Sequence, residues 1–187
     1  MSINPREIPT GAVRFNTDSS KMEVYIGDTW MEVSVSSPNL DGGVRGIFAG
    51  GWRNSPSTAR SNGIDFITIS TTGDATDFGD LSRRTAYMGC VSSRTRGVFA
   101  GGQEDNSSNA INTIDYITIS TTGNSQDFGD LPVAINAHYG HSNNTRAVFA
   151  SGYNPSPSFT SQKDISVLTI ASTGSAFDGG DLSRHGV

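Results

Sequence analysis

Apolar and polar residues alternate along three short segments near the amino terminus. Residues 12–16 read Ala-Val-Arg-Phe-Asn, residues 22–26 read Met-Glu-Val-Tyr-Ile, and residues 29–33 read Thr-Trp-Met-Glu-Val. Alternation with a period of two is typical of strands with one buried face. Turn-forming residues separate the segments, at 17–20 and at 27–28. The pattern predicts a small three-stranded β-meander that needs a partner surface, because three short strands bury little apolar area.

A longer unit then occurs three times. Arg-Gly-Ile-Phe-Ala-Gly-Gly at 45–51 returns as Arg-Gly-Val-Phe-Ala-Gly-Gly at 96–102 and as Arg-Ala-Val-Phe-Ala-Ser-Gly at 146–152. Each copy continues with a second strand pattern, at 64–69 in the first copy, and a short Phe-Gly-Asp-Leu element or its variant. No segment has helical periodicity. A fixed period of this size predicts a propeller blade or a similar stacked unit.

These patterns predict an all-β chain with two regions. Residues 1–40 form the meander and a linker at 34–40, and residues 41–187 form the repeats. The repeats are placed at about 44–93, 94–143 and 144–187. Residues 52–63 are expected to form a loop. Closed propellers typically have four to eight blades, so we expect oligomerisation to complete the repeats, with a homotrimer favoured.

Composition narrows the function. The net charge is −5 and the basic residues are scattered, which argues against nucleic-acid binding. No apolar run approaches the roughly 18 residues of a membrane helix, and residues 1–7 lack the apolar core of a signal peptide. The single cysteine, Cys90, allows no intrachain disulfide. Cys90 lies in an apolar stretch and is expected to be buried.

The segments that follow the first strand of each repeat differ in sequence from copy to copy. Loops on a rigid scaffold commonly carry binding residues, and aromatic side chains there can stack on sugars or anchor a protein contact. The alternative is that these loops only cover the edges of the repeats. The candidate binding residues are Trp52, Arg53, Asn54, Gln103, Glu104, Asp105, Tyr153 and Asn154.

Carboxylates spaced three apart are the weak candidates for a metal site. Oxygen ligands suit hard cations, but no segment matches the twelve-residue calcium loop, and Asp is common in turns for backbone reasons. We therefore favour a turn role and predict no metal and no cofactor. The residues are Asp74, Asp77, Asp80, Asp127 and Asp130.

Other recurring residues are expected to be structural. The glycine pairs are attributed to close backbone approach between repeats, since no helix follows them to form a phosphate site. His138 and His141 are expected to have packing or surface roles. We also expect Asp65, Asp115 and Asp164 to pair with Arg45, Arg96 and Arg146. A buried pair of this kind would set register.

No catalytic arrangement is visible. Nothing matches Gly-x-Ser-x-Gly with a histidine partner, and no two carboxylates outside the repeat pattern suggest a glycosidase pair. The chain is predicted not to be an enzyme.

The repeat resembles the kelch family. Glycine pairs at 50–51 and 101–102 end a strand, Phe66 or Tyr116 follows in the next strand, and Phe78 or its equivalent stands where kelch repeats have tryptophan. The resemblance implies a propeller-type fold and no particular function.

The segment at 9–33, with Gly-x-x-Arg-Phe-Asn-Thr-Asp and Lys-x-Glu-Val-Tyr-x-Gly-x-x-Trp, resembles the start of fibre or surface proteins of tailed phages. Together with the repeats it is similar to virion structural proteins of marine phages such as those of cyanobacteria. The resemblance implies that residues 1–40 attach to other virion proteins or trimerise while the repeats project outward. The candidate attachment residues are Arg14, Phe15, Tyr25 and Trp30.

The expected function is therefore that of a phage virion structural protein, a tail fibre or a fibre or knob on the particle surface, assembled in the host cytoplasm. Its partners would be other virion proteins, further copies of the chain, and a host-surface glycan or protein, with no nucleic acid and no membrane insertion. A carbohydrate-binding propeller-type module and a capsid decoration or cement protein are the alternatives.

Overall fold

A computed structural model defines the fold. It describes residues 8–33, 44–54, 59–105, 109–155 and 160–184. The predicted linker at 34–40 lies outside the described residues. The chain divides into two compact units, Met1–Asn39 and Leu40–Val187. In the described ranges every regular element is a strand and every strand pair is antiparallel, so the all-β prediction is confirmed. The described residues contain no helix long and apolar enough to cross a membrane.

The first unit contains a three-stranded sheet. Its strands are β1 (Val13–Asn16), β2 (Lys21–Ile26) and β3 (Thr29–Glu32), in that order across the sheet. Phe15 pairs with Met22, and Tyr25 pairs with Trp30. The predicted meander is thus present, with strand bounds that differ from the sequence pattern by one residue.

The second unit contains three groups of strands that follow the sequence repeat. The first group is β4 (Arg45–Ala49), β5 (Trp52–Arg53), β6 (Ala59–Arg60), β7 (Gly63–Thr68) and β8 (Thr76–Asp80). The second is β9 (Thr85–Ala86), β10 (Gly89–Ser92), β11 (Arg96–Ala100), β12 (Gln103–Glu104), β13 (Thr113–Thr118) and β14 (Gln126–Asp130). The third is β15 (Tyr139–Ser142), β16 (Arg146–Ala150), β17 (Tyr153–Asn154), β18 (Thr160–Ser161), β19 (Asp164–Thr169) and β20 (Phe177–Asp181).

Each group forms one main sheet. The orders are β10-β11-β13-β14 and β15-β16-β19-β20 in the second and third repeats, and β4-β7-β8 among the described residues of the first. Short two-stranded ladders, β5-β6, β9-β12 and β17-β18, accompany the main sheets. The prediction of a loop at 52–63 was wrong in this respect, because β5 and β6 pair within it. Strands of two residues are too short to produce a recognisable alternation.

The apolar core lies between successive repeats. One cluster joins Ile64, Phe78 and Leu81 of the first repeat to Phe99 and Ile117 of the second. A larger cluster joins the second and third repeats in the same way, through residues that include Ile114, Phe128, Leu131, Phe149, Leu168 and Ile170. A single repeat therefore cannot bury its own apolar faces, and the repeats stabilise one another.

Two glycines show why the glycine pairs recur. Gly50 and Gly101 have left-handed φ angles of +64° and +59°. A Cβ atom on either would collide with a backbone carbonyl of the segment that leads to the next repeat, at Thr85 and Ile135 respectively. The prediction of close backbone approach is confirmed, since only glycine satisfies both the conformation and the space.

Candidate functional site

One face of the meander is apolar and exposed. Alternation places Phe15, Met22 and Met31 on the same side of the sheet, because Phe15 pairs with Met22 and Val24 pairs with Met31. Exposed large apolar side chains in this unit are Val13, Phe15, Met22, Ile26, Met31 and Val33. Contiguous exposed apolar surface is typical of interaction sites, so this face is the candidate interaction surface of the unit.

The opposite face of the meander is polar and internally bonded. Arg14 Nε donates to Glu23 Oε2 at 2.8 Å, and the Arg14 guanidinium lies 4.2 Å from the Trp30 ring centroid. Trp30 in turn packs on Tyr25, with ring centroids 5.3 Å apart. The structure thus brings three of the four candidate attachment residues together on this face and places Phe15 on the other.

Glu23 is held in its charged form. Asn16 Nδ2 donates to Glu23 Oε1 at 2.8 Å, and this bond, followed by the bond from Arg14, lowers the pKa of the Glu23 carboxyl. Hydrogen bonds to the carboxylate favour ionisation. These hydrogen bonds therefore link β1 to β2 on the polar face.

The candidate loop residues of the first two repeats meet around Arg60. The side chain of Arg60 is buried, and its Nη1 donates to the backbone oxygen of Glu104 at 2.7 Å. The backbone N–H of Arg60 donates to Asp105 Oδ1 at 3.2 Å, and its guanidinium lies 5.1 Å from the Trp52 ring centroid. Trp52 Nε1 donates to Asn54 Oδ1 at 3.0 Å. The indole is half exposed and held from two sides.

Ion pairs occupy the acidic residues of the second candidate loop. Glu104 lies 3.2 Å from Arg83, and Asp105 lies 3.8 Å from Arg84. The remaining candidates lie in the ladders or beside them: Arg53 in β5, Gln103 in β12, and Tyr153 and Asn154 in β17. Six of the eight candidates therefore lie in short strands, and Asn54 and Asp105 directly follow β5 and β12.

The carboxylates considered for a metal do not converge. Among the residues that the structure describes, no group of three or more His, Cys, Asp or Glu side chains could hold a metal ion. All five candidate side chains are exposed. The backbone N–H of Asp80 donates to Asn124 Oδ1 at 3.0 Å, and the backbone N–H of Asp130 donates to Ser175 Oγ at 3.3 Å. These positions thus serve the contact with the next repeat.

The recurring arginines bind backbone, not carboxylates. Arg45 Nη1 donates to the backbone oxygen of Ile119 at 2.6 Å, and Arg96 Nη1 donates to that of Ile170 at 2.8 Å. Each guanidinium also stacks on an aromatic ring of its own repeat, Phe66 or its equivalent. The predicted pairing with Asp65, Asp115 and Asp164 was wrong: Arg45 and Arg96 reach across to the following repeat, and no ion pair joins Arg146 to Asp164 in the part of the chain that the structure describes.

Asp115 has a different set of partners. Its Oδ2 accepts from the Ser82 backbone N–H and from Ser125 Oγ, both at 2.9 Å, and its Oδ1 accepts from Ser82 Oγ at 2.9 Å. The prediction that Asp164 is the third-repeat equivalent of Asp115 was also wrong. The strand register aligns Ser166 with Asp115, since Ser166 pairs with Asp178 as Asp115 pairs with Asp127.

His138 is buried between the second and third repeats. Its ring packs edge-on against Phe149 with centroids 5.5 Å apart, and neither ring nitrogen has a hydrogen-bond partner among the described residues. Burial lowers the pKa of His138 from 6.5 to about 4, so the imidazole is neutral at pH 7. The packing role predicted for this residue is confirmed, whereas His141 is exposed.

Cys90 is exposed, so the prediction that it is buried was wrong. It lies beside Arg45 and Phe99 in an open groove at the contact of the first two repeats. Desolvation by the surrounding protein still raises the pKa of the thiol to about 11. The thiol is protonated at neutral pH, which disfavours a nucleophilic role.

No known protein-family model matches the chain, and no curated protein matches it significantly.

Sequence reasoning missed Arg60 and the Ser82–Asp115 contact. Arg60 pairs with Trp52 in the ladder where the second repeat has Ala110 opposite Gln103. The sequence contained a signal for Arg60: an arginine stands where the second repeat has alanine, and such a difference between repeats indicates a contact found only in the first repeat.

Proposed function

We propose that this chain is a structural protein of a tailed-phage particle, a tail fibre or a surface fibre or knob. Its meander docks on another virion protein, and its kelch-like repeats form a propeller-type scaffold that presents the short ladders outward for contact with the host or with neighbouring subunits. The particle is assembled in the host cytoplasm.

The observation that carries the proposal is the exposed apolar face of the meander. Exposed apolar surface on a small sheet is stabilised by covering it, and Phe15 and Met31 stand on that surface. The network of Arg14, Glu23 and Trp30 on the opposite face keeps the three strands in register. The unit is therefore a small sheet whose strands are linked by side-chain contacts on the polar face, and its apolar face is available for contact with a partner protein.

The repeats support a scaffold role. Their sheets contact one another through apolar clusters and close glycine contacts, which makes a rigid frame. The variable residues lie on ladders beside this frame. A rigid frame with variable peripheral segments suits recognition.

The test is the composition of purified particles of a phage that encodes the chain. We expect quantitative mass spectrometry to detect the chain in particles purified by density gradient. In particles grown without the native gene and complemented in trans, Phe15→Asp should lower incorporation at least tenfold, because a carboxylate on the apolar face disfavours burial. The matched control is Ser19→Asp, which adds the same charge in the exposed β1–β2 turn and should leave incorporation unchanged.

A chain that is abundant in infected cells but missing from purified particles would contradict the proposal. Antibody labelling of intact particles locates the protein: label on tail appendages supports a fibre, and label spread over the capsid supports the decoration alternative.

Carbohydrate binding is the second candidate, and the environment of Trp52 favours it. The indole is about half exposed, at 50 %, while Arg60 and Asn54 hold it in place. A fixed, exposed aromatic face is suited to stacking on a sugar ring. We expect Trp52→Ala to abolish glycan-array signal, Trp52→Phe to retain part of it, and Tyr153→Ala to weaken it. Equal signals from Trp52→Ala and the unmodified chain would exclude this role for Trp52.

A further inference from the structure

The contact between the first and second repeats is reproduced between the second and third. The N–H groups of Gly123 and Ser125 donate to Phe78 and Asp80 carbonyls at 2.7 and 2.8 Å. One repeat later the matching bonds have the same lengths. They run from Gly174 to Phe128 and from Ala176 to Asp130. The outer strand of each repeat thus pairs with the turn of the next.

Side chains repeat the same geometry. The arginine at the start of one repeat donates to an isoleucine carbonyl of the next, Arg45 to Ile119 and Arg96 to Ile170. Both bonds join residues 74 positions apart. The chain therefore contains two examples of one interface. Together they show which groups belong to each side: an arginine and two carbonyls on the preceding repeat, and an isoleucine carbonyl and two N–H groups on the following repeat.

The side of this interface that receives the preceding repeat is uncovered on the first repeat. Ile119 and Ile170 are 6 % and 0 % exposed, whereas their equivalent Ile69 is 63 % exposed. Phe99 and Phe149 are 5 % and 2 % exposed, whereas Phe48 is 58 % exposed. The side chain of Asp65, which corresponds to Asp115, is exposed as well.

The side that faces a following repeat is uncovered on the third repeat. All five residues of β20 are exposed, including Gly179, although the equivalent Phe128 in β14 is buried. Arg146 is exposed, and its guanidinium makes no hydrogen bond to another described residue comparable to those of Arg45 and Arg96. Each end of the array thus carries one half of the interface.

We propose that the third repeat of one copy docks on the first repeat of a second copy, head to tail, through the same interface that joins the repeats within the chain. In this junction Arg146 donates to the Ile69 carbonyl of the partner subunit. The carbonyls of Gly179 and Asp181 accept from Gly73 and Ala75 of the partner subunit. Phe48 and Ile69 become buried as their equivalents are.

A second feature selects a copy of this chain as the occupant. At the first internal junction Ser82 donates to Asp115, and at the second the equivalent residues are Pro132 and Ser166, which form no such pair. At the proposed junction the equivalent residues are Ser183 and Asp65, so the donor and its carboxylate acceptor recur together on opposite ends. Lys163, 2.6 Å from Asp181, offsets the acidic charge at this edge.

Such a contact is heterologous, because the two surfaces are different. It forms a ring if the rotation closes and a filament if it does not. This interface is independent of the proposed docking role, since it involves the ends of the repeat array and leaves the meander out.

The experiment uses light scattering after size exclusion on two complementary variants of the full chain. One variant carries Phe48→Asp and Ile69→Asp, which block the receiving side. The other carries Arg146→Asp and Ser183→Asp, which remove the arginine contact and set a carboxylate against Asp65 of the partner subunit, so that the donating side is blocked. Both are made in a Phe15→Asp parent so that association through the meander does not contribute. Because all four residues are exposed, thermal unfolding should match the parent. If a double variant unfolds, the single variants Ile69→Asp and Arg146→Asp replace the pairs.

We expect the parent to have a mass that is a multiple of 19.7 kDa, and each blocked variant alone to have the mass of one chain. An equimolar mixture should form a complex of two chains, because each variant retains one intact side that fits the other. A parent at single-chain mass overturns the proposal, as do blocked variants that keep the parent mass, or a mixture that stays at single-chain mass.

Discussion

The two internal junctions share their backbone contacts and differ in their buried polar chemistry. At the first junction Asp115 accepts three bonds, two of them from Ser82. At the second junction Pro132 stands in place of that serine and Ser166 in place of the aspartate. Proline has no N–H to donate, and a buried carboxylate without donors is costly. The donor and the acceptor have therefore changed together, while the backbone bonds and the arginine contacts have stayed.

The junctions also differ where the chain passes from one repeat to the next. Met88 precedes β10, and His138 stands at the equivalent place before β15. Both side chains pack against the neighbouring glycine-pair segment. The comparison shows that this position holds a bulky side chain at both junctions and that at the second junction this side chain is titratable.

The largest expected effect is the loss of the aromatic ring at either junction. Phe149→Ala and Phe99→Ala should each lower the free energy of unfolding by about 3–5 kcal/mol, since truncation of a buried phenylalanine leaves a cavity. Urea unfolding followed by circular dichroism measures the change. Phe48→Ala is the matched control and should change stability by less than about 0.5 kcal/mol in the monomer. Equal losses for all three would mean that the junctions do not carry the core.

Acid should weaken the second junction through His138. The folded-state pKa of His138 is lowered to about 4 from 6.5, so the neutral form is required by the fold. Its contribution is complete above pH 6.5 and is lost as pH falls toward 4, because only the unfolded chain takes up the proton in that window. The total loss is about 3 kcal/mol.

The control for this pH effect is His138→Met, which installs the residue found at the first junction. Stability measured by urea unfolding from pH 7.5 to 4 should lose this component of its slope in the variant. An unchanged slope would show that His138 is not the responsible group.

Removal of Asp115 should have an intermediate effect. Asp115→Ala removes the acceptor shared by the Ser82 N–H and two hydroxyls and should cost about 1–3 kcal/mol, although the Ser82 N–H still reaches Ser125 Oγ at 2.9 Å. Ser166→Ala at the second junction should cost less than about 1 kcal/mol. The double variant Ser82→Pro with Asp115→Ser copies the second junction, and its loss should fall below the sum of the single losses by about 1 kcal/mol. Additive losses would contradict the inference that the hydrogen-bond donor and its acceptor changed together between the two junctions.

The smallest expected effect belongs to the arginines. Arg45→Met and Arg96→Met should each cost about 1–2 kcal/mol, from a charge-assisted bond to a carbonyl and the stacking on an aromatic ring. Arg146→Met should be within about 0.5 kcal/mol of the unmodified chain in the monomer. Thermal melting at low protein concentration checks the order, and a loss at Arg146 equal to that at Arg45 would show an unrecognised partner within the chain.

Local patterns predicted the elements but not their partners. The alternation around Phe15 and Tyr25 was enough for the meander, and the period of the Phe-Ala-Gly-Gly segment was enough for the three sheets. The ladder β5-β6 was missed, because two-residue strands carry no periodic signal. Arg45 was assigned to a nearby carboxylate, although its acceptor, Ile119, lies 74 residues away.

The amino-acid sequence by itself determined the all-β character, the repeat and the places where only glycine fits. These features depend on the local backbone conformation, which the alternation of apolar residues and the positions of glycine set within each strand. The tertiary structure decided which side of a strand meets the next repeat. The pairing of β13 with β11 sets Asp115 opposite Phe99, and the pairing of β19 with β16 sets Ser166 opposite Phe149, so Asp115 aligns with Ser166 rather than with Asp164. Packing also decided that Phe99 is buried and Phe48 exposed, because identical side chains differ only in whether a neighbouring repeat covers them.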